Sequence, residues 1–580
     1  MSAATLESNV KKKIDEWLNG SFDEDTKNKV RKLLEENRYD ELTDAFYQDL
    51  EFGTGGLRGI MGVGSNRMNK YTVGKATQGL CNYLKAQFPN EQIKFVIAHD
   101  CRNQSDYFAK IVADVCSAND IKVYFFNGLR PTPELSFAIK ELDCKSGVML
   151  TASHNPKEYN GYKAYWEDGG QLVAPHDKNV IAEVNKITDI AQVKFEAKEE
   201  NIETIGEEID RIYLNKIMDL SLRPDAVKKE KNLKIVFSPI HGTAIMLVPQ
   251  ALEKWGFENV HVVEEQATPD GNFPTVIFPN PEEEEAMQLS LKKAKTIGAD
   301  LVMACDPDGD RVGVGVKNRT GTFQLLNGNQ ICSLLVHYVI SSMKELGKLP
   351  DNPYVVKTIV TSPLISEIAQ KNHINCYETL TGFKHIGALI TKLEGKENFI
   401  AGGEESYGYL VGDLVRDKDA VVSCTMIAEM TAYYKSQGKS LFDALLEIYS
   451  QYGFYKEKLI SITKKGKSGA EEIKKMMQEL RDNPPAKIAG SPVVKISDYQ
   501  AGFKKDMASG RTKTIDLPKS NVLQFVTEDS SIISARPSGT EPKIKFYSSA
   551  KAVLKNTAEY EEIEAKLEEK LKQLTEALSG

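Results

Sequence analysis

Long apolar runs are missing from this sequence. No stretch approaches the roughly 18 uncharged apolar residues of a membrane span, and the first twenty residues, MSAATLESNVKKKIDEWLNG, lack the apolar segment of a signal peptide. Both absences point to a cytoplasmic protein with no membrane partner. An excess of basic charge is missing too: 74 Lys and Arg stand against 82 Asp and Glu, a net charge of −8, so no global field holds nucleic acid. Any anionic ligand has to be held by a local cluster. The eight cysteines (Cys81, Cys101, Cys116, Cys144, Cys305, Cys332, Cys376, Cys424) fall singly, without a C-x-x-C pair or a His at zinc-ligand spacing. They read as reduced, mostly buried thiols. Neither a Walker loop nor a G-x-S-x-G nucleophile elbow occurs, which removes the usual nucleoside triphosphate and hydrolase signatures.

What is present is a globular composition, 41% hydrophobic and 27% charged, over 580 residues. At about 150 residues per domain that length suggests about four folding units. Val10, Ile14, Trp17 and Leu18, then Val30, Leu33 and Leu34, then Leu42, Phe46 and Leu50 follow helical spacing, so residues 1–50 read as a helical extension. A Gly-dense loop follows, Phe52-Gly-Thr-Gly-Gly-Leu-Arg-Gly-Ile-Met-Gly-Val-Gly64, whose backbone can approach a ligand closely and which carries Arg58.

Beyond it one pattern recurs three times: two apolar strands, then a third that runs into a polar loop. The strands are expected at 94–98, 122–126 and 147–150, at 234–237, 261–264 and 300–304, and at 354–359, 374–377 and 398–401. Short apolar strands separated by helix-length segments predict mixed α/β sheets buried on both faces, and loops after such strands are where α/β folds bind ligands. The segment from about residue 455 reads as a smaller α+β domain, with strands near 459–462, 493–499, 522–527 and 532–535, a helix near 473–480 and an amphipathic last helix at 559–578.

Four loops carry chemistry. Asp306, Asp308 and Asp310 alternate along Asp306-Pro-Asp-Gly-Asp-Arg311, where three carboxylates can converge and would repel without a cation. Oxygen-only ligands suit Mg²⁺, Ca²⁺ or Mn²⁺. An EF-hand is excluded, because its sixth and twelfth positions are Arg311 and Lys317 instead of Gly and Glu. Ser153, in Thr151-Ala-Ser-His-Asn-Pro156, offers a hydroxyl as a nucleophile, a phosphate carrier or a plain helix cap. Gly402-Gly-Glu-Glu-Ser-Tyr-Gly408 leaves the third repeat. Arg536-Pro-Ser-Gly-Thr-Glu-Pro542 combines a guanidinium, hydroxyls and Gly-freed amides, the composition of a phosphate-binding loop.

Together these loops resemble the α-D-phosphohexomutase family, with its T-A-S-H-N-P, D-x-D-G-D-R, G-E-E-S-x-G and R-x-S-G-T-E-P motifs in the same order, over residues 52–547. The resemblance implies three similar α/β domains (51–222, 223–320, 321–454) and a smaller α+β domain (455–580) around a central cleft. It implies that Ser153 is phosphorylated and that Asp306, Asp308 and Asp310 hold Mg²⁺ with that phosphate. Arg311, Arg58 and His154 would serve the transfer, and Lys163 or Lys418, with a depressed pKa, would move the proton. Thr381, Gly382, Glu404 and Ser406 would bind the sugar; Arg536, Ser538, Gly539 and Thr540 would grip its second phosphate. The implied reaction interconverts sugar 1- and 6-phosphates through glucose 1,6-bisphosphate, in a monomer or homodimer. The Glu404-Glu-Ser-Tyr-Gly408 loop lacks the G-H ending of the mannomutase and glucosamine-mutase branches, which favours glucose, with mannose and pentose phosphates as alternatives.

Overall fold

The computed structural model describes residues 6–53, 55–464, 466–538 and 543–579. Helices Ser8–Asn19, Glu24–Glu35 and Tyr39–Phe46 form the N-terminal extension. Their apolar faces meet around Trp17, which stacks on Phe22 at 4.4 Å and meets Phe46 and Tyr71 edge-on.

Part of the Gly-dense segment expected as a loop is a strand. Gly56–Ile60 is an edge strand, antiparallel to Tyr159–Trp166, with Arg58 opposite Gly161. The glycines make this pairing possible: at Gly56, where φ is +149°, a Cβ would sit 1.7 Å from the Tyr162 carbonyl oxygen.

Three sheets repeat one topology. In the first, Lys94–His99 pairs in parallel with Lys122–Phe126 on one side and Ser146–Leu150 on the other; the latter turns back antiparallel into Tyr159–Trp166. The second uses Ile235–Ser238, Val260–Val262, Leu301–Cys305 and Val312–Lys317 in the same roles. The third uses Pro353–Thr358, Asn375–Thr379, Asn398–Gly403 and Tyr409–Val411. The central strands are buried and mostly apolar between their ends, as sheets covered by helices on both faces require. Some boundaries differ from expectation: Glu264 opens the short helix Glu264–Ala267 instead of ending a strand, Ile359 lies just past the strand Pro353–Thr358, and the strand expected at 459–462 begins at Phe454.

The consequence for function lies in the turn between third and fourth strand. The Ser153 loop, the Asp306–Asp310 loop and the Glu404–Ser406 loop occupy this same turn in the first, second and third repeat. The C-terminal sheet is antiparallel, running Phe454–Thr463, Lys543–Ala552, Ile532–Pro537, Leu523–Thr527, Ser491–Asp498, Phe503–Asp506 and Thr512–Thr514. Helix Tyr560–Ser579 covers it through Leu567, Leu571 and Leu574. The Arg536 loop joins the two central strands Ile532–Pro537 and Lys543–Ala552.

The repeats are stitched together by a buried carboxylate. Glu429, fully buried in helix Ala420–Lys435, accepts hydrogen bonds from Ser221 Oγ, the Leu222 and Arg223 amides, Trp255 Nε1 and Tyr338 OH. All eight cysteines are free thiols, six of them buried and two partly so.

Candidate active site

Strand Ser146–Leu150 is buried along its whole length and ends at Thr151, so the chain leaves the sheet at a defined point. Two residues on, Ser153 adopts φ +53°, a left-handed conformation that costs a non-glycine residue about 1 kcal/mol or more. This places its Oγ 2.9 Å from Asp306 Oδ2, to which it donates, and 3.2 Å from His154 Nδ1. Burial, reinforced by Arg311 and Arg58, holds the His154 pKa well below the ordinary value, so the imidazole is neutral.

The Asp loop is wound around its own first residue: Asp306 Oδ1 accepts from the amides of Asp310 and Arg311. Asp308 Oδ2 accepts from Thr132 Oγ1 and from Lys163 Nζ at 2.6 Å. Asp310 Oδ2 faces Lys163 Nζ at 3.2 Å and Lys418 Nζ at 3.1 Å. All three carboxylates are buried and offer ligand atoms within 4.8 Å of one another. Asp308 Oδ1 and Asp310 Oδ1 have no hydrogen-bond partner. Buried carboxylate oxygens left unpaired are costly, and a hard divalent cation satisfies them, so the residues present fit a metal.

The lysines behave differently from expectation. Burial pulls the Lys163 pKa down, but Asp308 and Asp310 more than offset it; Asp310 and Asp417 do the same for Lys418. Both ammonium groups therefore stand above the ordinary lysine value, and neither pKa is depressed. The carboxylates divide: burial raises the Asp310 pKa, yet Lys418, Lys163 and Arg311 hold it well below the usual range, whereas burial with Asp310 and Asp308 pushes Asp306 well above it.

Above this cluster opens a cavity of about 720 Å³. His154 and Arg311 line its floor, Thr381, Gly382, Glu404 and Ser406 one wall, and Arg536, Lys543 and Lys545 the wall supplied by the C-terminal sheet. Arg311 NH1 pairs with Glu282 Oε1 at 2.5 Å. Glu404 Oε1 accepts from the Gly382 amide at 2.7 Å. Burial and the neighbouring Glu405 push the Glu404 pKa up to about 7, against the pull of Lys418. The C-terminal sheet's wall gathers the cations Arg536, Lys543 and Lys545 with Glu457, and burial with Arg536 lowers Lys545; His385, in the helix Phe383–Leu393 that begins just after Gly382, is brought down to about 4 by burial, Lys384 and Arg536. Cations that depress one another in this way are relieved by an anion such as a phosphate.

Of the other residues singled out from the sequence, the Arg58 guanidinium reaches Asn155 Oδ1 at 3.2 Å, beside the Ser153 loop. The Ser538 amide donates to the Lys543 carbonyl across the hairpin mouth. Gly539 and Thr540 lie outside the described residues.

Profiles of the phosphoglucomutase/phosphomannomutase alpha/beta/alpha domains I, II and III match residues 49–191, 211–321 and 327–452. The chain belongs to the phosphoglucomutase/phosphomannomutase family. Within this α-D-phosphohexomutase family it is 37% identical to a phosphoglucomutase of Staphylococcus haemolyticus, over 88% of this chain and 92% of that one. It is also 37% identical to the phosphoglucomutase of Staphylococcus aureus strain MRSA252, over 90% and 93%. Among solved structures the fold is shared with the Paramecium phosphoglucomutase pp63/parafusin in its open form (TM-score 0.67, 19% identity, 92% of this chain and 95% of that one). It is shared equally with a family protein of Burkholderia thailandensis (TM-score 0.65, 17% identity, 91% and 97%). No helix among the described residues is long and apolar enough to cross a membrane.

Sequence reasoning passed over several groups of this phosphohexomutase site. Lys543 and Lys545 stand at i and i+2 on one strand and so share a face, a signal legible in the sequence. Asp100 and Arg102, which brace the Ser153 loop, carry no signal beyond a charged pair just after an apolar strand.

Proposed function

We propose that the protein is a phosphoglucomutase, interconverting α-D-glucose 1-phosphate and glucose 6-phosphate through a phosphorylated Ser153. The observation that carries this reading is the meeting of the three repeat loops. The Ser153 hydroxyl lies against Asp306 and beside His154, and His154 lines a cavity whose walls offer a carboxylate-and-amide face on one side and Arg536, Lys543 and Lys545 on the other.

In this reading the chain divides into the helical extension 1–50, three α/β domains at 51–222, 223–320 and 321–454, and the C-terminal domain 455–580. Arg536, Ser538, Gly539 and Thr540, with Lys545, hold the phosphate that does not react. Glu404, Ser406, Thr381 and Gly382 align the sugar hydroxyls, and His154, Arg58 and Arg311 frame the transferring group. The sugar's 6-hydroxyl oxygen bonds to the phosphorus carried on Ser153 as the bond from phosphorus to Ser153 Oγ breaks. Its proton passes to the neutral imidazole of His154, whose Nδ1 lies 3.2 Å from Ser153 Oγ, and that imidazole gives a proton to Ser153 Oγ as it departs. The resulting glucose 1,6-bisphosphate turns over in the cleft, and the reverse step at its 1-phosphate regenerates phosphoserine and releases glucose 6-phosphate. Lys163, held cationic by Asp308 and Asp310, keeps its proton and stabilises the negative charge of the transferring group in both directions. Asp306, Asp308, Asp310 and the phosphoserine would hold Mg²⁺, which would supply Lewis-acid stabilisation of the transferring group's charge. Glucose 1,6-bisphosphate serves as activator, and the enzyme works in the cytoplasm.

The test is the initial rate, with Mg²⁺ and a trace of glucose 1,6-bisphosphate, on the 1-phosphates of glucose, mannose and ribose, with free phosphate followed alongside. Glucose 1-phosphate is expected to give the highest kcat/KM, with no phosphate release and no activity after chelation. A higher value for ribose or mannose 1-phosphate would move the substrate and leave the chemistry standing; steady phosphate release would replace the mutase by a phosphatase.

Glu404 adds a pH dependence. With a folded pKa near 7, raised above the ordinary carboxylate value, it is protonated and a poorer acceptor below about pH 7 and becomes a full carboxylate above it. KM for glucose 1-phosphate is therefore expected to fall as pH rises through about 7, and this limb should vanish in Glu404→Gln. An identical profile in the variant would remove Glu404 from sugar binding.

A further inference from the structure

The conformation of Ser153 is imposed from the strand behind it. Arg102, with only 2% of its surface exposed, donates to four backbone carbonyls of one loop: NH2 to those of Ser153 (2.6 Å) and Asn155 (2.5 Å), NH1 to those of Pro156 (2.9 Å) and Tyr159 (3.1 Å). Asp100, fully enclosed beside it, accepts from Ser105 Oγ and the Arg102 amide with Oδ1 and from Thr151 Oγ1 with Oδ2 at 2.6 Å. Thr151 Oγ1 in turn accepts from the Ser153 amide at 2.8 Å. One carboxylate and one guanidinium thus hold both the amide and the carbonyl of a residue in the left-handed region.

We infer that Asp100, Arg102 and Thr151 are positioning residues that aim the Ser153 oxygen for phosphoryl transfer. They do so without touching the sugar. The argument is geometric. Asp306 is fixed by its own loop's amides, so the 2.9 Å approach of Ser153 Oγ depends on the backbone angle at Ser153. A hydroxyl displaced by about 1 Å costs about 10²-fold in rate even where binding is intact. None of the three residues lines the cavity. The clamp should act on the transfer step in both directions and leave sugar phosphate affinity alone.

The inference rests on the phosphoserine reading of Ser153, and the experiment separates the two. Enzyme radiolabelled by exchange with glucose 1,6-bisphosphate is mixed with saturating glucose 1-phosphate in a rapid-quench apparatus, and loss of label from the protein is timed. Arg102→Met leaves the Asp100 carboxylate buried and unpaired, and lost folding would mask its effect. Thr151→Val, nearly isosteric, is the deciding variant, and Thr151→Ser keeps the hydroxyl. Transfer in Thr151→Val is expected to slow by about 10²-fold, with Thr151→Ser within about threefold of the parent and glucose 1-phosphate Kd unchanged in both. Transfer at the parent rate in Thr151→Val, equal slowing in Thr151→Ser, or a Kd loosened as much as the rate falls would each overturn the clamp. Failure of the parent enzyme to take label on Ser153 would instead overturn the phosphoserine reading.

Discussion

Ser153→Ala is expected to lose about 10⁴- to 10⁶-fold in kcat, the range seen when a covalent nucleophile is removed, while glucose 1-phosphate still binds. The reason lies in what the hydroxyl touches. Its contacts are Asp306 Oδ2, in the buried carboxylate cluster, and His154 Nδ1, at the cavity floor. The groups assigned to the sugar and its second phosphate belong to other loops, of the third repeat and the C-terminal sheet. Removing one hydroxyl that makes two hydrogen bonds costs the fold about 1 kcal/mol, too little to unfold a chain of this size. Turnover followed by coupled assay and binding followed by calorimetry should therefore separate: the first collapses, the second persists. Activity within tenfold of the parent would sink the assignment of Ser153 as phosphoryl carrier, and with it the proposed route.

The largest effect on stability is expected far from this chemistry, at Glu429. Its carboxylate gathers donors from the junction of the first and second repeats (Ser221, Leu222, Arg223), from helix Val248–Trp255 of the second and from helix Gly328–Glu345 of the third. Truncation to Ala orphans two amides, an indole N–H and two hydroxyls in a site sealed from water. Each buried donor left unpaired costs about 1–3 kcal/mol, so a loss of about 4 kcal/mol or more is expected even after partial relaxation. For a cooperative unit of about 200 residues this lowers the unfolding midpoint by about 10 °C. Glu429→Gln should not rescue it, because the amide offers one acceptor oxygen and turns two N–H donors toward groups that already donate. Scanning calorimetry decides the matter; a midpoint within about 2 °C of the parent would show that the repeats are held together elsewhere.

Much of this was legible in the sequence. The three repeats, the α/β class and the four loops are local strings, and short apolar strands ending at Thr151, Asp306 and Gly402 announce themselves without knowledge of what they pack against. Other features were not legible. Arg58 was read as part of a Gly-dense loop that approaches a ligand, because glycines hide the strand pairing that Gly56 permits by its missing Cβ. Glu429 shows only as a lone acid in the apolar helix Ala420–Lys435, with none of its five donors nearby in the chain.

By itself, then, the amino-acid sequence determined which groups are available: a serine hydroxyl, three alternating carboxylates, two lysines and a cationic hairpin, each displayed where a buried strand runs out. Only the tertiary structure decided what those groups are to one another. Ser153 and Asp306 meet across 153 residues of chain, Lys163 and Lys418 converge on Asp310, and both lysines are driven up in pKa where a depressed value was expected. Hydrogen bonds and charge interactions depend on separation in space and on exclusion of water. Sheet register and domain packing set both quantities, and neither is written at any single position of the chain.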